Sequence, residues 1–235
     1  MGKTNGGRFT FSAYANSVGA VAEKPLKAFL SDVPCAALPV NGGLISQSSE
    51  NIEFRIGSAR ILSIGRASST VLGEFREDHY VSLATATVEK LNILDVITAD
   101  AVVSRVTSVY RTGQDVKPDM YPATFYLAGS HFDNLRIDGE LIECEVEPTF
   151  KSKEGFQIRR DEAHTDHLFK NCRERTDYLF KDRQEGFIPE FGAIHLGEVE
   201  KYGGKIILTM LRVELGCPVV ATVTTGSTST NGRDG

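Results

Sequence analysis

Apolar and polar residues alternate along much of the chain, and the stretch from Tyr80 to Tyr110 contains no Gly and no Pro. Val, Ile and Thr dominate it, and these branched residues favour strands over helices. One strand of this length would extend roughly 100 Å at about 3.3 Å per residue, far beyond a normal strand. We therefore predict two long neighbouring strands joined by a turn near Asn92 or Asp95. Apolar residues occupy both alternate sets, which predicts a central position with both faces covered.

The clearest turn signal is Asp138-Gly139, which lies between two alternating runs in the segment from Asn134 to Glu147. Both residues tolerate positive φ, so the pair predicts a two-residue hairpin with a type I′ turn. In that register Ile137 pairs with Glu140, and the second strand continues to Glu147.

Other segments extend the strand pattern. Phe9 to Asn16 alternates as a half-buried strand does, and Ile188 to Val199 with Lys205 to Leu215 predicts a closing pair of strands. Pro and Gly punctuate Lys24 to Asn51, which predicts a long surface connection, with strands resuming at Glu53.

Two segments depart from the pattern. Leu168, Cys172 and Leu179 have helical spacing, which predicts one helical insertion at about residues 151–185. Residues 222–235 are mainly Thr, Ser, Gly and Asn, which predicts a disordered tail. Residues 1–221 are therefore expected to form a single all-β domain, a two-sheet β-sandwich with that helical insertion. A β-solenoid is the alternative architecture.

Composition restricts the classes of function. The net charge is -5 and the pI is about 5.6, which argues against a nucleic-acid partner. No apolar run approaches the roughly 20 residues that span a bilayer, so no membrane span is expected. The N-terminus has no signal-peptide core. The chain as written is expected to be cytoplasmic, or secreted or at the surface if a leader has been removed.

The four cysteines are widely separated and form no C-x-x-C pair: Cys35, Cys144, Cys172 and Cys217. Scattered thiols in a chain of this length are typical of free, buried cysteines, and two disulfides are the alternative in an oxidising compartment.

His164 and His167 are the candidate metal ligands, with Asp161, Glu162 and Cys172 nearby. On a helix, two imidazoles three residues apart share one side and could hold a divalent metal. The spacing is not H-E-x-x-H, and no third ligand is defined by a motif. The alternative is a charged surface helix whose histidines only titrate.

Glu143, Glu145 and Glu147 form an acidic row if their strand is regular, spaced about 7 Å apart by the two-residue repeat. That spacing suits a cation site or an inverting pair of carboxylates. A solvated strand face that blocks edge pairing has the same composition.

Ser130 and His131 are adjacent, so on a strand they point to opposite faces, and no G-x-S-x-G surrounds them. Paired glycines in the chain lack the context of a phosphate loop. We therefore assign no catalytic and no cofactor-binding residues from the sequence.

Three segments in a fixed order carry a resemblance: Leu91 to Asp100, Gly129 to Gly139 and Leu208 to Gly216. Together they resemble an uncharacterised family of bacterial β-rich proteins, distantly similar to the ectodomains of secreted choice-of-anchor proteins. The resemblance implies a β-rich fold and a setting often outside the cell. It brings no activity and no catalytic residues.

These observations favour a non-enzymatic structural or interaction protein whose partner is itself, a homo-oligomer assembled through its β-sheet. One alternative is a metal-dependent hydrolase with His164 and His167 as ligands and a glutamate of the acidic row as base. Another is a carbohydrate- or surface-binding module, which needs exposed aromatic side chains in one patch.

Overall fold

The computed structural model describes residues 9–30, 33–111, 123–146, 149–150, 164–167, 169–170, 185–188, 191–202, 205–216 and 219–234. All regular structure in these ranges is β-strand. The strands are β1 (Phe9–Lys24), β2 (Ala28–Phe29), β3 (Cys35–Ala37), β4 (Gly43–Ile56), β5 (Ala59–Arg76), β6 (His79–Ile93), β7 (Ile97–Arg111), β8 (Ala123–Tyr126), β9 (His131–Asp133), β10 (Arg136–Ile137), β11 (Glu140–Leu141), β12 (Glu145–Val146), β13 (Thr149–Phe150), β14 (His164–His167), β15 (Phe169–Lys170), β16 (Glu185–Ile188), β17 (Gly192–Tyr202), β18 (Lys205–Leu215) and β19 (Val220–Asp234).

Two antiparallel sheets form a β-sandwich. Sheet A has the order β14-β17-β18-β19-β1-β2, with β16 beside β17 and β3 beside β1. Sheet B has the order β11-β10-β7-β6-β5-β4, with β8 and β9 beside β7 and β13 beside β8. Strands β12 and β15 form a separate pair. The predicted two-sheet sandwich is confirmed, and the described strands do not form the stacked coils of the solenoid alternative.

Strands β6 and β7 are the two long strands predicted between Tyr80 and Tyr110. They pair along their whole length and meet at Ile93 and Ile97. Leu94 and Asp95 have φ of 53° and 56°, as a type I′ turn requires. The Asn92 side chain donates to Asp95 at 2.7 Å and accepts from the Asp95 amide at 2.9 Å. The predicted turn position is confirmed.

Only one face of this central hairpin is fully covered. Val88, Val102 and Val106 point between the sheets and are completely buried. Thr85 and Thr87 point to the other face and stay partly exposed. The prediction of two covered faces is therefore wrong. The apolar pattern misled because Lys90 and Asp100 are left out of the pairing. The inward and outward sets exchange there, which places apolar residues from both alternate sets on the inner face.

In sheet A, the alternation of inward- and outward-facing residues changes along one line that crosses four strands. Gly197, Met210, Gly226 and Ser17 are left out of the pairing, while the residues on either side of each stay paired. Gly197 and Gly226 have φ of 62° and 63°, a conformation that glycine adopts without a Cβ penalty. The inward and outward sets exchange at this line in β17, β18, β19 and β1 together.

Sheet B has a matching line. Asn51 and Gly65 are left out between β4 and β5, and Lys90 and Asp100 between β6 and β7. Asn51 and Lys90 both have φ of 55°. The Lys90 side chain lies over Gly65, where a Cβ would be 3.0 Å from the Lys90 Cδ. The register is the same on both sides of this line, so no extra residue is inserted in either strand of a pair.

Two apolar clusters fill the space between the sheets. The larger includes Leu62, Val102 and Leu208, and the smaller includes Phe11 and Tyr110. Buried hydroxyl groups lie between them along the strands, so that the interior is apolar at both ends and polar at the junction. These hydroxyl residues are Ser17, Ser69, Ser104 and Thr228.

The hydroxyl groups bridge the sheets. Ser104 of β7 bonds Thr228 of β19 at 2.7 Å. Ser17 of β1 bonds Ser69 of β5 at 2.7 Å, and Ser69 donates to the Pro34 carbonyl at 2.8 Å. A buried hydroxyl needs such a partner, because burying it unsatisfied costs about 1–3 kcal/mol.

The predicted disordered tail is wrong. Residues 220–234 form β19, which pairs with β18 on one side and β1 on the other. Thr225, Thr228 and Thr230 are fully buried. Low apolar content suggested disorder, but threonine has a high strand propensity, and Ser104 satisfies the Thr228 hydroxyl.

The predicted helical insertion is wrong wherever the structure describes it. His164–His167 and Phe169–Lys170 are strands β14 and β15, and β14 pairs with β17 of sheet A. The rest of residues 151–184 lies outside the described residues. Pairing with an available sheet edge overrides a weak helical periodicity, which rested on few apolar positions. Nowhere in the described ranges is there a helix that could cross a membrane.

The Asp138-Gly139 hairpin is confirmed. Ile137 pairs with Glu140, and the two turn residues have φ of 51° and 79°. The amide of Ile142 also donates to the Leu135 carbonyl at 2.8 Å.

Candidate functional site

A partly buried cluster of charged side chains, the Arg212 cluster, lies on sheet A and consists of His195, Glu198, Arg212 and Glu214. Arg212 of β18 contacts Glu198 of β17 through two bonds, Nε to Oε2 at 2.7 Å and Nη2 to Oε1 at 2.5 Å. Arg212 also contacts Glu214. The His195 ring nitrogens lie 3.7 Å from Glu198 and 3.9 Å from Glu214. His195 and Glu198 are both nearly excluded from solvent.

A break in the pairing of β17 at Gly197 places these side chains together. His195 and Glu198 are three residues apart, which on a regular strand would put them on opposite faces. Gly197 is left out of the pairing between them, so both lie on the same side of the sheet as Arg212. The Arg212 guanidinium pairs with both carboxylates of the cluster, those of Glu198 and Glu214. This arrangement serves as a structural ion-pair network, because a bound cation would have to replace Arg212.

The predicted metal ligands lie on an extended segment. His164 pairs with Lys201 and His167 pairs with Glu198 in the backbone ladder. The helical spacing that motivated a shared ion is therefore absent from this segment. The side chains of His164 and His167 lie outside the described residues, as do Asp161, Glu162 and Cys172. Within the part of the chain that the structure describes, no three His, Cys, Asp or Glu side chains come together as metal ligands. The metal site stays a prediction.

The predicted acidic row is not on one regular strand. Strand β11 ends at Leu141, and Glu143 lies exposed in the connection that follows. Glu145 belongs to β12, which pairs with β15 rather than with β10. Glu147 lies outside the described residues. The regular 7 Å spacing assumed from the sequence does not hold, because the hairpin strand is only two residues long.

Ser130 has a structural role. Its buried Oγ accepts from the Arg105 amide at 2.8 Å and donates to the Arg105 carbonyl at 3.0 Å. The neighbouring His131 is exposed, and its Nδ1 lies 2.9 Å from the Gly129 carbonyl. The two side chains therefore have different partners, as the sequence predicted.

Cys35 is a free thiol, but it is exposed rather than buried. It lies beside Tyr14, whose pKa is raised by burial, by the charge of Cys35 and by their hydrogen bond. Cys144 is half-buried. Cys172 and Cys217 lie outside the described residues.

Strand β4 is the long edge of sheet B. It pairs with β5 along one side, and the described residues place no strand along its other side. Its first seven residues, from Gly43 to Ser49, contain no charge and no proline. Leu44 is 63% exposed. Ser46, Gln47 and Ser48 are exposed as well. An uncharged edge of this kind presents backbone groups to any extended segment that approaches.

The second half of β4 is different. Glu53 bonds Arg55 at 2.9 Å and lies 3.7 Å from Arg60. The Arg55 hydrogen bond, with the charges of Arg55 and Arg60, lowers the pKa of Glu53 below its ordinary value. The register of β4 against β5 shifts between Phe54 and Arg55, which marks a bulge in this half. Charges and a bulge are the usual means by which proteins block an edge.

A groove runs beside this second half. It has a volume of about 560 Å³ and lies between β2 and β4, with Ala28, Phe29 and Leu30 on one side and residues 49–55 on the other. Phe29 is 76% exposed at its rim. The other exposed aromatic side chains described, Tyr14, Phe75 and Tyr126, lie on β1, β5 and β8. The binding-module alternative stays a prediction.

Comparison with known proteins adds one result. A family model described as Domain of unknown function (DUF8256) matches residues 9–186. The chain belongs to the DUF8256 family. No curated protein and no solved structure matches it.

The DUF8256 match includes strands β1–β15, ends within β16 and does not reach β17. The exposed edge β4 therefore lies within the DUF8256 segment, whereas the Arg212 cluster on β17 and β18 lies beyond it. Sequence reasoning missed both. The edge could have been found from the uncharged, proline-free run Leu44-Ile-Ser-Gln-Ser-Ser49. His195 carried no comparable signal, because a lone histidine in an apolar strand is uninformative.

Proposed function

We propose that this DUF8256 protein is a non-enzymatic structural or interaction protein that associates with further copies of itself through the free edge of β4. The supporting observation is the contrast along that strand. The half from Gly43 to Ser49 is uncharged and mostly exposed, whereas the half from Glu50 to Ile56 carries charges and a bulge. The devices that block edge pairing are therefore confined to the second half, and the first half has none of them.

The backbone provides the affinity in this kind of contact. Each residue added to a sheet edge forms hydrogen bonds that do not depend on side-chain identity, and side chains supply specificity. Leu44, with its large exposed apolar side chain, supplies an apolar contact at the start of the edge.

Sedimentation velocity over a range of protein concentrations tests the proposal. We expect the native chain to show a concentration-dependent species larger than the monomer. The variant Leu44→Lys/Gln47→Lys places two charges on the free edge and should remain monomeric at the same concentrations.

Val21→Lys is the matched control. Val21 is also exposed, at 55%, but β1 pairs with strands on both sides at this position. It should associate as the native chain does. A native chain that is monomeric at every concentration would contradict the proposal. The proposal would also be contradicted if Val21→Lys weakened self-association as much as Leu44→Lys/Gln47→Lys does.

A further inference from the structure

The uncharged half of β4, Gly43–Ser49, is well suited to pair in one orientation with the same segment of a second chain. We infer that two chains associate through Gly43–Ser49 with the strands antiparallel and Ser46 opposite Ser46 of the second copy, which gives a closed two-fold dimer. This inference rests on the proposed function and specifies the partner and the register at that edge. Ser46 is the middle residue of Gly43–Ser49, three residues from each end. The uncharged segments of two antiparallel chains therefore overlap along their whole length only when Ser46 faces Ser46.

Charge decides the orientation. In a parallel, in-register pair, Glu50 and Glu53 would each face their own copy at about 5 Å, and like charges directly opposite destabilise a sheet. In the antiparallel pair centred on Ser46, residue 50 of one chain lies opposite residue 42 of the other. The two charged halves, from Glu50 to Ile56 of each chain, then point to opposite ends of the interface.

The pairing also limits the size of the assembly. A two-fold contact uses the same surface on both copies, so it leaves no second copy of that surface for growth. The other edge strands described are short: β2 and β11 have two residues each, and β14 has four. Short edges are poor templates for strand addition. A dimer is therefore expected rather than a fibre.

The interface is small. Seven residues from each chain bury well below the roughly 1,600 Å² of a standard interface. Association should therefore be weak and reversible, with a dissociation constant on the order of micromolar or higher.

Two double variants test the orientation. In the antiparallel register, residue 44 of one chain lies opposite residue 48 of the other, and within one chain these positions are about 13 Å apart. Leu44→Lys/Ser48→Glu therefore forms two Lys–Glu pairs across the interface, whereas Leu44→Lys/Ser48→Lys forms two Lys–Lys pairs. We expect the first variant to dimerise about tenfold more tightly than the second, with the difference shrinking at high salt.

Hydrogen exchange of the native chain gives an independent measurement that needs no substitution. Amides within Gly43–Ser49 should gain protection as the concentration rises through the dimer midpoint, while amides from Glu53 to Ile56 should not.

The outcomes separate the inference from the proposed function. One outcome is that the native chain associates while Leu44→Lys/Ser48→Lys dimerises as tightly as Leu44→Lys/Ser48→Glu, or more tightly. In that case the antiparallel register is wrong, and association through the edge of β4 stands. Assemblies larger than a dimer that grow with concentration would contradict the closed two-fold dimer but not association through the edge of β4. A native chain that stays monomeric, with no concentration-dependent protection, would overturn both.

Discussion

Arg212 holds Glu198 through two parallel bonds, Nε to Oε2 at 2.7 Å and Nη2 to Oε1 at 2.5 Å, on a face of sheet A where the Glu198 side chain is only 10% exposed. Two-point contacts between arginine and carboxylate combine charge with fixed geometry and are stronger than single bonds. The pair joins β17 to β18 beside the line of unpaired residues that contains Gly197 and Met210.

Removing the Glu198 charge should destabilise the fold. Glu198→Gln leaves Arg212 without its main carboxylate, and we expect a loss of about 2–3 kcal/mol, below the range for a fully buried pair because Arg212 is partly exposed. The change in free energy of unfolding is measured by urea denaturation. Glu53→Gln is the matched control at an exposed pair and should leave the midpoint unchanged. Equal effects at the two positions would contradict a structural role for the Arg212 cluster.

Strand β19 should be as sensitive to substitution as any core strand. Val223 is completely buried, and its neighbour Thr222 is exposed on the opposite face. Val223→Asp places an unpaired charge in the core and should cost about 3–5 kcal/mol. Thr222→Asp should cost no more than about 1 kcal/mol. Thermal unfolding measures the loss of stability in each variant. If both variants were as stable as the native chain, β19 would not be a core strand.

The Ser104–Thr228 bridge between the sheets should show coupling. Replacing either hydroxyl, by Ser104→Ala or Thr228→Val, leaves the other buried without its partner and should cost about 1–3 kcal/mol. The double variant should cost less than the sum, because it removes both polar groups. A double-mutant cycle on the free energy of unfolding measures this coupling. Additive losses would mean that the hydroxyl groups find other partners.

Tyr14 should titrate above its ordinary pKa of about 10. Burial raises the pKa of Tyr14 most, followed by the charge of Cys35 and the Tyr14–Cys35 hydrogen bond. Because the folded-state pKa exceeds the unfolded value, the stability that Tyr14 contributes is present below pH 10 and is lost as the pH rises through the folded-state pKa.

Phenolate absorbance, compared with that of Tyr14→Phe to isolate this residue, measures the shift. Cys35→Ser removes the thiolate charge and should lower the pKa of Tyr14 without returning it to the ordinary value. An unchanged titration in Cys35→Ser would contradict the role of the thiolate.

Local signals in the sequence were sufficient for the hairpins. Asp138-Gly139 specifies its turn because both residues accept positive φ, and the pairing of Ile137 with Glu140 follows from a two-residue loop. The β6–β7 hairpin was equally accessible, since a run of branched residues of that length must turn. Such features depend on neighbours within a few positions.

Strand β4 illustrates what local signals could not provide. The sequence predicts a surface connection from Lys24 to Asn51, because Pro and Gly punctuate this segment. Gly43 to Asn51 is a strand because β5 pairs with β4 from Gly43 to Ile56. The same holds for His195 and Glu198, which share a face only because Gly197 leaves the ladder.

The sequence by itself determined the strand-rich class and the positions of the two hairpin turns, because propensity, alternation and turn chemistry act over a few residues. The tertiary structure decided where the polar strands go. Thr228 is buried because Ser104 arrives from the other sheet, more than a hundred positions away, to satisfy its hydroxyl. Whether a Ser/Thr-rich segment is core or tail depends on that distant partner, which no local pattern specifies.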